Sequence, residues 1–111
     1  MVNGQVNDVF YQLRGQSELR ARAYQRAIEM NPDEATYRAE LAAVHITVGQ
    51  YSEAVSVLDA ALERNPNYAD LYRLKGLALI QLKKNKEARP LLDKAKELGD
   101  TNVDALIEKY Y

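Results

Sequence analysis

The chain repeats itself with a fixed period, and this period constrains the fold more than any other feature. Asn31-Pro32 and Asn65-Pro66 lie 34 positions apart. The same offset aligns Ala35 with Ala69, Ile46 with Ile80, Glu53-Ala54 with Glu87-Ala88, Leu58-Asp59 with Leu92-Asp93, Ala61 with Ala95 and Glu63 with Glu97. One step back, it aligns Gly15-Gln16 with Gly49-Gln50, Ala27 with Ala61 and Glu29 with Glu63. A period of this length is typical of stacked supersecondary units.

The period divides the chain into repeat units, which together form a single domain. We place a diverged repeat 1 at about residues 1–34, repeat 2 at 35–68, repeat 3 at 69–102 and a C-terminal helix at 103–111. A chain of 111 residues has the length of one ordinary domain. Because no unit of this size can bury its apolar face alone, about three must stack to be stable.

Apolar spacing predicts two helices in each unit. In repeat 2, Leu41, Val44 and Val48 recur at helical spacing and stop at Gly49, and a second apolar run extends to Pro66. Repeat 1 carries Gly15 at the position of Gly49, so two helices are expected there as well. No segment alternates with period two, which argues against a sheet. The predicted fold class is all-α.

Polar residues that often cap helices recur one period apart. Asp33, Asn67 and Thr101 are predicted N-caps. The last of these opens the C-terminal helix, which carries an apolar set comprising Leu106, Ile107, Tyr110 and Tyr111. If this helix folds back on repeat 3 it caps the array; if it does not, its apolar side chains favour self-association.

Charge and composition exclude several classes of function. With 15 basic and 16 acidic residues the formal charge is -1, which gives no long-range attraction to nucleic acid or to an anionic membrane. The chain has no cysteine and a single histidine, His45, on the apolar side of a helix, where a packed core residue is expected.

No catalytic or phosphate-binding motif is present, and neither a cofactor nor a metal site is predicted. The N-terminal sequence lacks the pattern of an export signal, and the compartment is left open.

Four arginines in repeat 1 leave one alternative open. Arg14, Arg20, Arg22 and Arg26 could form a local site for an anionic partner, or they could only solvate a helix and pair with nearby acids.

Taken together, the repeat positions resemble the tetratricopeptide repeat (TPR) family. The matching residues are Tyr11, Gly15, Tyr24, Ala27 and Pro32 in repeat 1; Leu41, Ala42, Gly49, Tyr51, Ala54, Leu58, Ala61 and Pro66 in repeat 2; and Tyr72, Gly76, Leu79, Ala88, Leu92 and Ala95 in repeat 3. Repeat 3 departs from the pattern where Lys83-Lys84 replaces a glycine and Gly99-Asp100 replaces the closing Asn-Pro. The resemblance implies an α-solenoid of three helix-turn-helix repeats with a short C-terminal capping helix.

The resemblance further implies a non-enzymatic protein-interaction scaffold that binds a partner peptide or protein in a concave groove. The first helices carry the groove positions, which are Thr36, Glu40, Ala43, Thr47, Asp70, Arg73, Leu74, Leu77 and Gln81, with Val9, Gln12 and Leu13 extending them at one end. Leucines supply apolar contacts, Arg73 a cation, and Glu40 and Asp70 negative charge. The alternative for these two acids is that they only solvate the helix faces.

One subclass of the family clamps the C-terminal carboxylate of Hsp70 or Hsp90 with lysine and asparagine residues. The corresponding positions here hold Glu40, Asp70 and Leu74. Two carboxylates and a leucine would not hold a third carboxylate, so the sequence argues against this ligand.

The alternative function is a structural or self-assembling array, or a fragment of a longer repeat protein. Its oligomer contacts would use the C-terminal apolar set and an N-terminal stripe of Val6, Val9, Phe10 and Leu13.

Overall fold

The computed structural model describes the backbone of residues 2–111 and the side chains of residues 15–111. The chain forms six helices in this range: α1 (Val2–Met30), α2 (Ala35–Thr47), α3 (Tyr51–Arg64), α4 (Ala69–Gln81), α5 (Asn85–Glu97) and α6 (Val103–Tyr110). Residues 2–111 contain no strand, so the all-α prediction is confirmed.

Two helix pairs, α2/α3 and α4/α5, form the centre of the array. Small residues let the helices approach: Ala54 and Ala61 on α3, and Ala88 and Ala95 on α5, are 0% exposed. Leu58 and Leu92 lie between these alanines and are equally inaccessible. The apolar spacing that predicted each second helix is therefore the spacing of its buried face.

Gly76 in α4 marks the closest approach within the second pair. A Cβ built on this glycine would lie 2.6 Å from Cδ2 of Leu92. Any side chain at position 76 would force the buried Leu92 to move, which gives a packing reason for the glycine in this repeat.

The turns inside the two pairs use the same left-handed backbone conformation. Gly49 has φ 82° and Lys83, 34 positions later, has φ 65°. The turn therefore survives the loss of its glycine in repeat 3, although a side chain in this conformation is unfavourable.

Repeat 1 differs from its prediction, because α1 is one continuous helix instead of two. Gly15 lies inside α1 and has no left-handed backbone. A single interior glycine costs a helix only about 1 kcal/mol relative to alanine, and residues 11–20 contain no proline that would break it. The division of this part of the chain into a repeat unit remains a prediction.

The C-terminal helix folds back on the array and caps it. Val103 is fully buried, and Leu106, Ile107 and Tyr110 pack against a core cluster that contains Leu92. The apolar side of α6 thus covers the open side of α5, as a capping helix must.

The helices begin one residue later than predicted. The N-cap residues are Glu34, Tyr68 and Asn102 instead of Asp33, Asn67 and Thr101. Only Glu34 caps with its side chain, which accepts from Thr36 N. Asp33 instead pairs with Arg64 at 2.6 Å, because its carboxylate faces the end of α3.

Candidate functional site

The nine predicted groove residues lie on two first helices that contact each other, α2 and α4. On α2, Thr36, Glu40 and Thr47 are exposed and Ala43 is half-buried. Thr47 Oγ1 donates to Ala43 O at 2.9 Å, so this hydroxyl is satisfied within its own helix. Within residues 15–111 no ion pair engages Glu40, which leaves its carboxylate open to solvent.

Arg73 was expected to offer the groove a cation, but its charge is used inside the fold. Its Nε lies 2.7 Å from Oδ2 of Asp100, whose side chain is 3% exposed, and its Nη2 lies 3.5 Å from Asp70. The second oxygen of Asp100 accepts from Asn102 N at 2.8 Å. The guanidinium therefore joins α4 to the turn before α6, and two carboxylates neutralise it.

Leu74, Leu77 and Gln81 continue along α4. Leu74 packs partly against the first core cluster, and Leu77 is half-buried. Gln81 Nε2 donates to the Tyr110 hydroxyl at 3.3 Å. This bond brings a predicted groove residue into contact with a residue predicted for self-association, because α6 lies against α4 as well as α5.

The four residues predicted for self-association divide into two groups. Leu106, Ile107 and Tyr110 are half-buried in the chain's own core, whereas Tyr111 is 48% exposed. Tyr111 donates from its hydroxyl to Asn85 O at 2.5 Å, and the Arg89 guanidinium lies 5.0 Å from the centre of its ring. Self-association through this end stays a prediction.

Partial burial raises the pKa of the Tyr111 hydroxyl above its ordinary 10.0. Arg89 acts in the opposite direction, and Asp93 adds to the increase. The hydroxyl is thus held in its neutral, donating form.

Asp100 is the polar residue of this region that sequence reasoning missed. Its signal was present, because it stands at the position of Pro32 and Pro66, where the repeat closes. A departure from the repeat at that point frees a carboxylate to bind Arg73 and to turn the chain into α6.

A cleft of about 240 Å³ lies between α1 and the C-terminal half of α2. His45 lines it and its Nδ1 lies 2.7 Å from Gln50 Oε1, so this histidine is a half-buried interface residue instead of a core residue. Ser17, Glu18 and Arg22 lie on the opposite wall.

Other expectations concern metals, membranes and the N-terminal segment. The described residues contain no group of His, Cys, Asp or Glu able to hold a metal ion. None of their helices is long and apolar enough to cross a membrane. The predicted extension of the groove by Val9, Gln12 and Leu13 falls on side chains outside those described.

The chain is similar to known proteins both in sequence and in structure. The chain is 38% identical over 76 residues to a protein SGT1 homolog from Oryza sativa subsp. japonica, a match that covers 68% of this chain and 21% of the relative. It thus spans about a fifth of that relative's length. Among solved structures, it resembles YrrB, described as a TPR protein with an unusual peptide-binding site, at 26% identity and a TM-score of 0.74 over 86% of this chain and 50% of YrrB.

A second solved structure supports the fold alone. The first TPR of Spaghetti (RPAP3), bound to the HSP90 peptide SRMEEVD, has a TM-score of 0.81 over 96% of this chain and 87% of that one, at 20% identity. The family model described as tetratricopeptide repeat matches residues 40–103, more than half of the chain. The chain therefore belongs to the tetratricopeptide repeat family, whose helical repeats are protein-binding scaffolds.

Proposed function

We propose that the protein is a non-enzymatic scaffold that binds a partner segment along α2 and α4. The segment carries apolar anchors for Leu74 and Leu77 and a basic residue for Glu40. One observation carries this proposal: Arg73 is neutralised by Asp100 and Asp70. The remaining polar character of these two helix faces is therefore acidic or neutral, and a basic ligand suits it.

The same charge arrangement argues against an acidic C-terminal peptide. A carboxylate entering this face would meet the open carboxylate of Glu40 and, at the other family clamp positions, Asp70 and Leu74. Asp70 shares the guanidinium of Arg73 with the buried Asp100, so that guanidinium is already doubly paired. Ligand selection by exclusion of acidic termini therefore forms part of the proposed function.

Fluorescence polarisation with three labelled peptides tests the proposal. Two share a central pair of leucines and differ only in flanking lysines or flanking glutamates; the third is SRMEEVD. We expect the lysine peptide to bind and the other two to show no saturable binding. Tighter binding of either acidic peptide would contradict the proposal.

Variants then locate the site. Leu77→Glu and Glu40→Lys should each weaken binding of the lysine peptide, since the first removes an anchor and the second reverses the selecting charge. Glu53→Lys is the matched control, because Glu53 is exposed on α3 and its substitution makes the same change in net charge. Equal losses in Glu40→Lys and Glu53→Lys would indicate attraction by net charge alone.

A further inference from the structure

The strongest unexplained feature of the molecule is the open face of α1. At equivalent repeat positions, α3 carries Ala54, Leu58 and Ala61, and α5 carries Ala88, Leu92 and Ala95; all six are 0% exposed. The corresponding residues of α1 are Arg20, which is exposed, and Tyr24 and Ala27, which are half-buried. No side chain from Gly15 to Met30 is fully buried.

The reason lies in the arrangement of neighbours. Within the described part of the chain, α3 lies between α2 and α4, and α5 lies between α4 and α6, whereas α1 contacts α2 alone. A second helix therefore covers the equivalent face in the other two cases and is missing in the first. The segment that would supply it, residues 2–14, continues α1 straight through Gly15.

The open face follows a heptad pattern that runs without interruption past Gly15. The pattern alternates spacings of four and three residues, which is the spacing of a coiled-coil seam. Its first class comprises positions 2, 9, 16 and 23, and its second class comprises positions 6, 13, 20 and 27. We call these eight positions the α1 seam; in the sequence they are Val2, Val6, Val9, Leu13, Gln16, Arg20, Ala23 and Ala27. Six of the eight are apolar. In the described half, Gln16, Arg20 and Ala23 are exposed and Ala27 is half-buried.

The seam is self-complementary when two copies of α1 lie antiparallel. Two antiparallel copies of α1 can be aligned so that the numbers of facing positions add to 29. Each layer then pairs a position of the first class with a position of the second class. The layers pair Val2 with Ala27, Val6 with Ala23, Val9 with Arg20 and Leu13 with Gln16. Larger residues thus face the two small alanines, and the arrangement is two-fold symmetric, as a closed dimer requires.

Folding back within one chain is less favourable than this pairing. A hairpin bent at Gly15 would direct positions 4, 7, 8 and 11 inward, and these are Gly4, Asn7, Asp8 and Tyr11. Asn7 and Asp8 would then occupy the place that the buried Leu41 and Ala42 occupy in repeat 2. Burying an unpaired carboxylate and an unpaired amide is costly. The seam also contains two polar residues, Gln16 and Arg20, but their long side chains can extend to the edge of a two-helix interface and keep their polar ends in water. Moreover, the seam stays in phase across Gly15 only if the helix is straight.

We propose that the α1 seam is the interface of a homodimer, in which residues 2–14 of each copy cover the open face of α1 in the other. The interface shares none of the nine groove residues on α2 and α4 and does not depend on the proposed function, but it takes Val9 and Leu13 from the predicted extension of the groove. It uses three residues of the predicted N-terminal stripe, Val6, Val9 and Leu13, and none of the C-terminal apolar set. The interface has only four distinct layers, so dissociation on dilution is expected.

Light scattering over a concentration series tests this assembly. We expect a species of about twice the 12.6 kDa chain mass that dissociates on dilution. Ala23→Asp should weaken the dimer by about two orders of magnitude, because it places an unpaired carboxylate in the seam. Gln25→Asp is the matched control: both residues are exposed on the same helix, so neither change should unfold the chain, but position 25 lies off the seam.

A cross-linking experiment separates exchange between copies from a hairpin. The chain has no cysteine, so Gln16→Cys introduces a single thiol next to the two-fold axis. A bifunctional maleimide should link two copies through Cys at this position, whereas Gln25→Cys, far from its equivalent in the partner, should stay unlinked. A monomer at all concentrations, or a dimer unaffected by Ala23→Asp, would overturn the proposal. In the first case α1 folds back or binds another protein, and in the second another surface forms the dimer.

Discussion

The two ends of the array carry comparable apolar patterns but differ in what becomes of them. At the C-terminal end, α6 has eight residues, and its apolar side packs into the chain's own core. At the N-terminal end, α1 has 29 residues, and within residues 15–30 no side chain is fully buried. An apolar stripe in a repeat protein therefore marks a surface that needs a partner, and whether the partner lies in the same chain depends on the turn.

Polar contacts sharpen the contrast. The α6 end is tied by Arg73–Asp100, Gln81–Tyr110 and Tyr111–Asn85. No hydrogen bond or ion pair joins a side chain of residues 15–30 to another among residues 15–111. The C-terminal end should therefore contribute to the stability of the monomer, and the N-terminal end should contribute when a second copy is bound.

The largest expected effect tests the cap. Val103→Asp places a carboxylate at a fully buried site of α6 and should lower the free energy of unfolding by about 3 to 4 kcal/mol. Urea denaturation followed by circular dichroism measures this loss. Ala105→Asp, on the exposed side of the same helix, is the control and should change stability little. If both variants lose equally, α6 does not cap the array.

The next effect compares two ion pairs, one with a buried carboxylate and one exposed. Arg73→Ala leaves the buried carboxylate of Asp100 with a single hydrogen bond and should cost about 2 kcal/mol. Arg64→Ala breaks an exposed pair with Asp33, whose side chain is 88% exposed, and should cost less than about 0.5 kcal/mol. Denaturation in low and in high salt separates them, because only the exposed pair is strongly screened.

A glycine-to-alanine pair should give effects of opposite sign. Gly76→Ala drives a Cβ to 2.6 Å from the buried Leu92 and should destabilise the protein by about 1 to 2 kcal/mol. Gly15→Ala meets nothing within 4 Å and should stabilise α1 by about 0.5 to 1 kcal/mol. It should also strengthen the dimer, since it favours the straight helix. A loss of stability in Gly15→Ala would indicate that residue 15 forms a left-handed turn in solution.

One repeat position shows how far the sequence predicts the structure. Gly15, Gly49 and Lys83 are equivalent by the 34-residue offset. The glycine of repeat 2 forms the expected turn, the lysine of repeat 3 forms it without a glycine, and the glycine of repeat 1 lies inside a helix. A turn forms where the two flanking helices have enough apolar surface to pack against each other. The conformational propensity of one residue is too weak to override that packing.

The candidate site was predictable to a similar degree. Periodicity fixed which residues lie on the first helices, because a register of repeats carries over from unit to unit. Periodicity could not show that Arg73 is neutralised, because Asp100 lies 27 residues away in the sequence. The two side chains meet only because the chain turns back into α6. Side-chain pairing across the end of an array depends on the one turn that breaks the repeat.

The smallest effect is a pH dependence of the cap. Tyrosine is neutral when protonated, so the raised pKa of Tyr111 means that the folded protein holds this proton more tightly than the unfolded chain does. The associated stability is complete below pH 10.0 and is lost as the pH rises through the raised folded value. Denaturation midpoints between pH 8 and pH 11 should fall more in the native protein than in Tyr111→Phe, which keeps the ring against Arg89 but has no proton to lose. Parallel curves would mean that the Tyr111–Asn85 bond does not hold α6, leaving the apolar contacts of Val103 and its neighbours to fix the end of the array.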